Sequence, residues 1–116
     1  MTLHALKRDL IEPIIGPVDT AVLIEGTPET RVWVTYDAPG ERLCTGEWEA
    51  TEGTWRVNYE EWEYCLVVSG RCVVTGDDGK VVKAGPGDSF VIEPGFTGTW
   101  QVTEPMRKHW VIRTPA

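Results

Sequence analysis

The sequence predicts one all-β domain, either a closed barrel or a sandwich of two sheets. Short runs rich in β-branched and aromatic residues alternate with Gly and Pro along most of the chain, the pattern of such folds. The length of 116 residues suits one domain. Helical periodicity is weak: residues 3–10 could form a short helix, which Pro13 and Pro17 would end.

The elements follow one another at short spacing. Residues 11–19 are expected to be an extended arm. Strands are predicted at 31–36, 44–49, 54–59, 64–68, 71–75, 80–83, 89–92, 99–102 and 108–112, with a tight hairpin turn at Asp77-Asp78-Gly79. We therefore divide the chain into an N-terminal arm with a first strand and a possible dimer contact, residues 1–29, and a barrel, residues 30–116.

Charge and cysteine usage exclude several classes of function. The net charge is −7, and basic residues cluster only at 7–8 and 107–108, so we expect no binding to nucleic acid or to anionic membranes. Neither a signal-type leader nor an apolar stretch of about 20 residues is visible. The three cysteines form no CxxC motif, which argues against a disulfide framework or zinc site and favours the reducing cytoplasm.

Two stretches carry the most specific signal. Glu63 is followed after six residues by Gly70, and Gly85-Pro-Gly-Asp88 is followed by Pro94-Gly95. In this order they resemble the two motifs of the cupin superfamily, G-x5-H-x-H-x(3–4)-E-x6-G and G-x5-P-x-G-x2-H-x3-N. The resemblance implies a single-domain cupin (RmlC-like) fold, a double-stranded β-helix or jelly-roll barrel.

A narrower resemblance covers roughly residues 30–113. The stretches Gly46-Glu-Trp48 and Gly95-Phe-Thr-Gly98-Thr-Trp100, with the two motifs above, are similar to the cupin group that includes the (S)-ureidoglycine aminohydrolase cupin domain (DUF861-like). That enzyme is a two-cupin chain with a manganese site, and single-domain members of the group generally lack an assigned reaction. The resemblance therefore implies a cupin of uncharacterised activity.

The cupin motifs usually hold a metal with three histidines and one glutamate. Here the glutamate position is Glu63. Counting back four residues places the two histidine positions at Arg56 and Asn58, and the third falls at Gly98. We therefore predict no His-ligated metal and no cofactor. A magnesium or manganese ion on Glu63 and Asn58 is the alternative.

The same positions define a candidate site. A strand alternates its faces, so Cys65 should point into the barrel beside Glu63, while Arg56 and Asn58 share a face on the neighbouring strand. In the cupin arrangement Arg56 and Asn58 would meet Glu63 and bind an anionic or amide ligand, with Glu63 as the catalytic acid or base. The alternative is an Arg56–Glu63 ion pair that only plugs the cavity.

Aromatic residues are candidates for the wall of a pocket. Trp100 lies two residues beyond Gly98 and is the best candidate; Tyr36, Phe90 and Ile92 are further possible lining residues. His109 is expected to face outwards, because Lys108 and Trp110 alternate with it.

Three functions remain open. The first is a homodimeric protein that binds a small polar metabolite without a metal. The second is an enzyme of isomerase, lyase or amidohydrolase type that uses Glu63, and the third is an interaction or regulatory module with a filled barrel. A filled interior would favour the interaction module. An open pocket with an unpaired Glu63 would favour the enzyme, and an open pocket in which Glu63 is locked to Arg56 would favour the binding protein.

Overall fold

A computed structural model describes residues 2–116, and among these residues no α-helix occurs. The nine strands are β1 (Ile14–Pro17), β2 (Leu23–Gly26), β3 (Glu29–Ala38), β4 (Leu43–Ala50), β5 (Gly53–Asn58), β6 (Trp62–Gly76), β7 (Val81–Ala84), β8 (Ser89–Ile92) and β9 (Thr97–Arg113). A 3-10 turn at Pro39–Glu41 links β3 to β4.

Two long strands organise the fold. The antiparallel strands β6 and β9 pair along most of their length, and each belongs to two sheets. The first half of β6 and the second half of β9 form one sheet, which continues through β4, β3 and β1 beyond β9 and through β8 beyond β6. The second half of β6 and the first half of β9 form the other sheet, which continues through β5 and β2 beyond β9 and through β7 beyond β6. The two sheets enclose the core, which confirms the predicted jelly roll.

The bend in β6 depends on Gly70. The β6–β9 pairing is irregular between Val67 and Cys72, and Gly70 there has a φ of 77°, which favours glycine. A Cβ at Gly70 would also collide with the backbone oxygen of Pro105. The chain bends here instead of reversing, so the strands predicted at 64–68 and 71–75 form one strand; those predicted at 99–102 and 108–112 likewise form one.

The edges of the sheets differ from the sequence prediction. Strand β1 forms inside the predicted arm and pairs with β3, and β2 pairs with β5. Pro17 is tolerated because β1 is an edge strand, where a missing N–H costs little. The short helix considered for residues 3–10 is not formed, since a helix of this length has too few hydrogen bonds to offset its nucleation cost.

The N-terminal arm lies on the outer face of β3 and β4. Arg8 donates a hydrogen bond from Nη1 to Glu49 Oε2 at 2.6 Å, and its guanidinium lies 4.4 Å from the centre of the Trp33 ring. Nearby, the rings of His4 and Tyr36 are 4.9 Å apart. These contacts attach the arm by polar and aromatic groups, while Leu3 and Leu10 remain exposed.

Within residues 2–116 there is no helix long and apolar enough to cross a membrane.

Candidate functional site

A cleft of about 280 Å³ opens between the two sheets. Its lining is mostly aromatic and aliphatic and includes four of the six tryptophans of the chain. The lining residues are Val32, Trp48, Trp55, Val57, Tyr59, Glu63, Trp100, Lys108, Trp110 and Ile112. One concave, largely apolar surface with few polar groups is thus formed by five strands, β3, β4, β5, β6 and β9. This is the usual character of a small-molecule site.

The polar centre of the cleft is an ion pair between Glu63 and Lys108. Both residues are 5% exposed, and Lys108 Nζ donates to Glu63 Oε2 at 2.7 Å. Cys65 Sγ, which is fully buried, lies 3.1 Å from the same oxygen and 3.4 Å from Lys108 Nζ. Burial raises the pKa of the Cys65 thiol to about 12. The thiol is therefore neutral at pH 7 and can donate to the carboxylate.

Lys108 is held in its charged form. Burial acts to lower the pKa of Lys108, but Glu63, Cys65 and Tyr59 together outweigh burial, and the pKa is raised overall. The ammonium also lies 4.7 Å from the centre of the Trp48 ring and 4.5 Å from that of Trp100, at distances typical of cation–π contacts. A protonated amine is not a nucleophile, so this geometry suits Lys108 to binding and not to covalent chemistry.

The Glu63 carboxylate has hydrogen-bonding capacity left over. Both of its side-chain hydrogen bonds fall on Oε2, so Oε1 is available to a ligand. The indole Nε1 of Trp100 is not available, because it is buried from solvent and faces the Tyr59 hydroxyl, where it acts on the pKa of that phenol, which burial raises.

The structure does not bring Arg56 and Asn58 to Glu63. Both side chains are exposed on the outer face of β5. Arg56 instead forms a bidentate pair with Asp77, with N–O distances of 2.7 and 2.9 Å. Alternation along β5 turns Trp55 and Val57 inwards, so the inward positions correspond to a spacing of three residues before Glu63, not the four that we used.

The other predicted residues divide between two sides of the core. Trp100 and Cys65 lie with Glu63 as expected: Trp100 lines the cleft and Cys65 is bonded to the carboxylate. Phe90 and Ile92 line a separate cleft of about 290 Å³ beneath β7 and β8. Tyr36 lies under the arm against His4. The cleft that contains Glu63 is therefore not lined by Tyr36, Phe90 or Ile92. A role in ligand binding remains a prediction for all five of these residues.

Sequence reasoning missed Lys108 and Tyr59. The signal for Lys108 was its alternation with His109, which places it on the same face as Trp110; His109 is exposed, as predicted. The signal for Tyr59 was the three-residue spacing to Glu63 that the cupin motif also allows. Neither pattern could show that the Lys108 ammonium reaches the Glu63 carboxylate, since β6 and β9 contribute these residues from distant parts of the sequence.

The residues present do not fit the metal that the cupin resemblance implies. The Lys108 ammonium takes the position beside Glu63 where a cation would bind and would repel one. Val57 and Tyr59 flank the cleft in place of imidazoles, and a Cβ at Gly98 would collide with the backbone oxygen of Thr75. Among residues 2–116, no three His, Cys, Asp or Glu side chains converge as a ligand set.

The chain is similar to one known protein family and to several solved structures. The family described as the EutQ-like cupin domain matches residues 38–110. A Pseudomonas syringae protein of unknown function from the DUF861 family superposes with a TM-score of 0.80 at 22% identity, over 92% of this chain and 46% of its own. This chain therefore spans about half the length of that protein.

Two further solved structures share the fold. The Clostridium difficile EutQ protein has a TM-score of 0.66 at 22% identity, over 74% of this chain and 63% of its own. A Thermotoga maritima DUF861 family protein has a TM-score of 0.54 at 28% identity, over 68% of this chain and 96% of its own. No curated protein matches the sequence.

Proposed function

The chain belongs to the EutQ-like cupin family, and from this premise we propose that it binds a small polar metabolite in the tryptophan-lined cleft without a His-ligated metal. The Glu63–Lys108 pair is the polar recognition point, and the aromatic rings supply the contact area. The ammonium supplies the positive charge that a metal supplies in His-bearing cupins.

One observation carries this proposal: a buried ion pair opens onto a cleft that still has room. Burying two charges costs several kcal/mol of desolvation per ion, and apolar residues could fill the same volume at no such cost. A volume of about 280 Å³ is at the small end of ligand sites, which suits a metabolite of one or two rings.

The geometry separates the three functions considered from the sequence. The open cleft argues against a filled barrel. Glu63 is held by a cation, as the binding function requires, although the cation is Lys108 and not Arg56. A proton-transfer enzyme would need Glu63 free of such a partner, so binding is the function that the contacts favour.

The test removes both charges together. We expect a panel of small carboxylates, amides and sugars to yield compounds that raise the melting temperature and change tryptophan fluorescence of the wild-type protein. A ligand at 100 times its Kd stabilises by about 2.7 kcal/mol. The double variant Glu63→Gln/Lys108→Met has no unpaired charge, so it should fold, and it should lose response to every active compound.

The matched control removes an exposed pair of the same charges. Arg71 and Glu104 lie 3.6 Å apart with side chains about 60% exposed, and Arg71→Met/Glu104→Gln should respond to ligands as the wild type does. A folded Glu63→Gln/Lys108→Met variant that keeps every response would contradict the proposal, as would a wild-type protein that responds to no compound.

We propose in addition that the protein works as a homodimer in the cytoplasm. The three cysteines are free thiols, which suits a reducing compartment. The exposed apolar side chains of the arm, described above, support a contact between two copies.

A further inference from the structure

We propose that the cleft is built for a planar, net-neutral ligand with a cyclic amide edge, in which a carbonyl oxygen and an N–H lie side by side. This inference rests on the proposed function and names the class of ligand that the same site takes. It follows from the charge balance of the lining, the hydrogen-bonding groups that Glu63 and Lys108 leave unused, and the shape of the aromatic walls.

The charge balance of the cleft favours a neutral ligand. Glu63 and Lys108 are the two charged side chains of the lining, and they neutralise each other at 2.7 Å. A ligand carboxylate would lie beside the Glu63 carboxylate, and a ligand ammonium beside Lys108. Either would bring an uncompensated charge into a buried site, which costs free energy.

One donor requires an acceptor on the ligand. Lys108 has three N–H groups, of which Glu63 and Cys65 take two. A ligand carbonyl oxygen can accept from the third.

One acceptor calls for a donor on the ligand. Glu63 Oε1 lies on the same carboxylate that binds Lys108 through Oε2, so a ligand that approaches Lys108 also approaches Oε1. A ligand N–H that donates to Oε1 would thus sit next to the carbonyl oxygen. An open-chain secondary amide is trans and directs its N–H and C=O to opposite sides. A ring holds the amide cis, with both groups on one edge.

The aromatic walls select a flat ligand. The rings of Trp48 and Trp100 meet edge to face, with centres 5.5 Å apart, and Trp55 lies 6.2 Å from Trp48. Such rings contact a planar ligand over a large area at either its face or its edge. A cyclic amide of one or two rings presents both the flat surface and the hydrogen-bonding edge.

The test compares three probes on the wild-type protein by isothermal titration calorimetry: 2-pyridone, N-methyl-2-pyridone and benzoate. We expect 2-pyridone to bind. N-methyl-2-pyridone should bind at least about tenfold more weakly, because it has no N–H for Glu63 and leaves that oxygen unpaired. Benzoate should bind more weakly still, because its carboxylate faces Glu63. This comparison needs no variant and therefore does not depend on the folding of one.

A variant tests the ion pair from the protein side. Glu63→Gln/Lys108→Met removes both charged partners of the amide edge, and it should weaken 2-pyridone binding at least about tenfold. The matched control is Arg71→Met/Glu104→Gln, an exposed pair outside the cleft, and it should leave the affinity unchanged.

Several outcomes would overturn the inference. Benzoate binding more tightly than 2-pyridone would assign the cleft to anions, and equal affinity for the two pyridones would remove Glu63 from recognition. If compounds of the metabolite panel bind in a way that Glu63→Gln/Lys108→Met abolishes while 2-pyridone does not bind at millimolar concentration, the ligand class fails and the proposed function stands. If neither the panel nor the probes bind, both fail.

Discussion

The position of Lys108 illustrates how a single residue sets the chemistry of a cupin cleft. Its side chain is buried among tryptophans, with the ammonium between the Trp48 and Trp100 rings and its charge matched by Glu63. In a buried site the Coulomb attraction is strong, so the two residues stabilise each other's charged forms. Each residue alone would be a costly buried charge, and together they are a stable polar centre.

At this scale we predict that Lys108→Met destabilises the protein by about 3–5 kcal/mol, because it leaves the Glu63 carboxylate buried and unpaired. The double variant Glu63→Gln/Lys108→Met should recover most of that loss, since it leaves no buried charge. Urea unfolding followed by tryptophan fluorescence measures both. Arg71→Met/Glu104→Gln, an exposed pair, should change stability by about 1 kcal/mol or less. Equal destabilisation by the single and double variants would show that the two residues are not coupled.

At the scale of elements, one ion pair ties β5 to the turn that follows β6. Arg56 on β5 binds Asp77 through both of its terminal nitrogens, and the Asp77 backbone N–H donates to the Thr97 carbonyl at the start of β9. The pair is exposed, so salt and solvent screen it. It lies on the outer face of β5, opposite to the face that carries Trp55 and Val57 into the cleft.

The Arg56–Asp77 link should depend on pH in a defined direction. The hydrogen bond from Arg56 lowers the pKa of Asp77 to about 2. Because the folded pKa is below the ordinary one, the pair stabilises the protein above pH ~4 and loses this effect as the pH falls through about 2. We expect a carbon-detected NMR titration to find the low value in the wild type and a higher value in Arg56→Gln, where the Thr97 side chain still acts to lower the pKa of Asp77. The melting temperatures of the two proteins should converge by about pH 2.

An unshifted Asp77 in the wild type would contradict this contact, and so would a difference in melting temperature that persists in acid.

At the scale of the whole molecule, the arm and β1 form an apolar edge. Leu3 and Leu10 are each 96% exposed, Ile14 is 71% exposed, and Leu6 and Ile15 are about half exposed. Strand β1 pairs with β3 on one side and with no described strand on the other. Exposed apolar patches and open strand edges are typical of surfaces that another chain covers. A second copy of this chain offers the same edge and arm.

We therefore expect light scattering after size exclusion to give about twice the 13.0 kDa mass of one chain. Replacing Leu3, Leu6 and Leu10 by Ser should convert the dimer to a monomer, because the contact loses its apolar area. The control is Val81→Ser on β7, an exposed apolar residue at a different sheet edge, which should leave the mass unchanged. A monomeric wild-type protein would rule out this assembly.

Much of the fold could be predicted from the order of residues, because alternation and turn chemistry act over short distances. The strands, the hairpin turn at residues 77–79, the inward face shared by Glu63 and Cys65, and the jelly roll follow from local patterns and motif spacing. One strand was expected within residues 1–29 without bounds, and two form there, β1 and β2; they lack a strong pattern and form by pairing at sheet edges. The continuous β6 was missed because a bend at Gly70 resembles a turn in sequence.

The composition of the cleft depended on contacts that no local pattern contains. Whether Asn58 or Tyr59 faces Glu63 turns on a spacing difference of one residue, which moves a side chain to the opposite face of a strand. The pairing of Glu63 with Lys108 joins residues 45 positions apart in sequence. It arises because β6 and β9 lie side by side, so the identity of the cation in the cleft is a property of the assembled sheets.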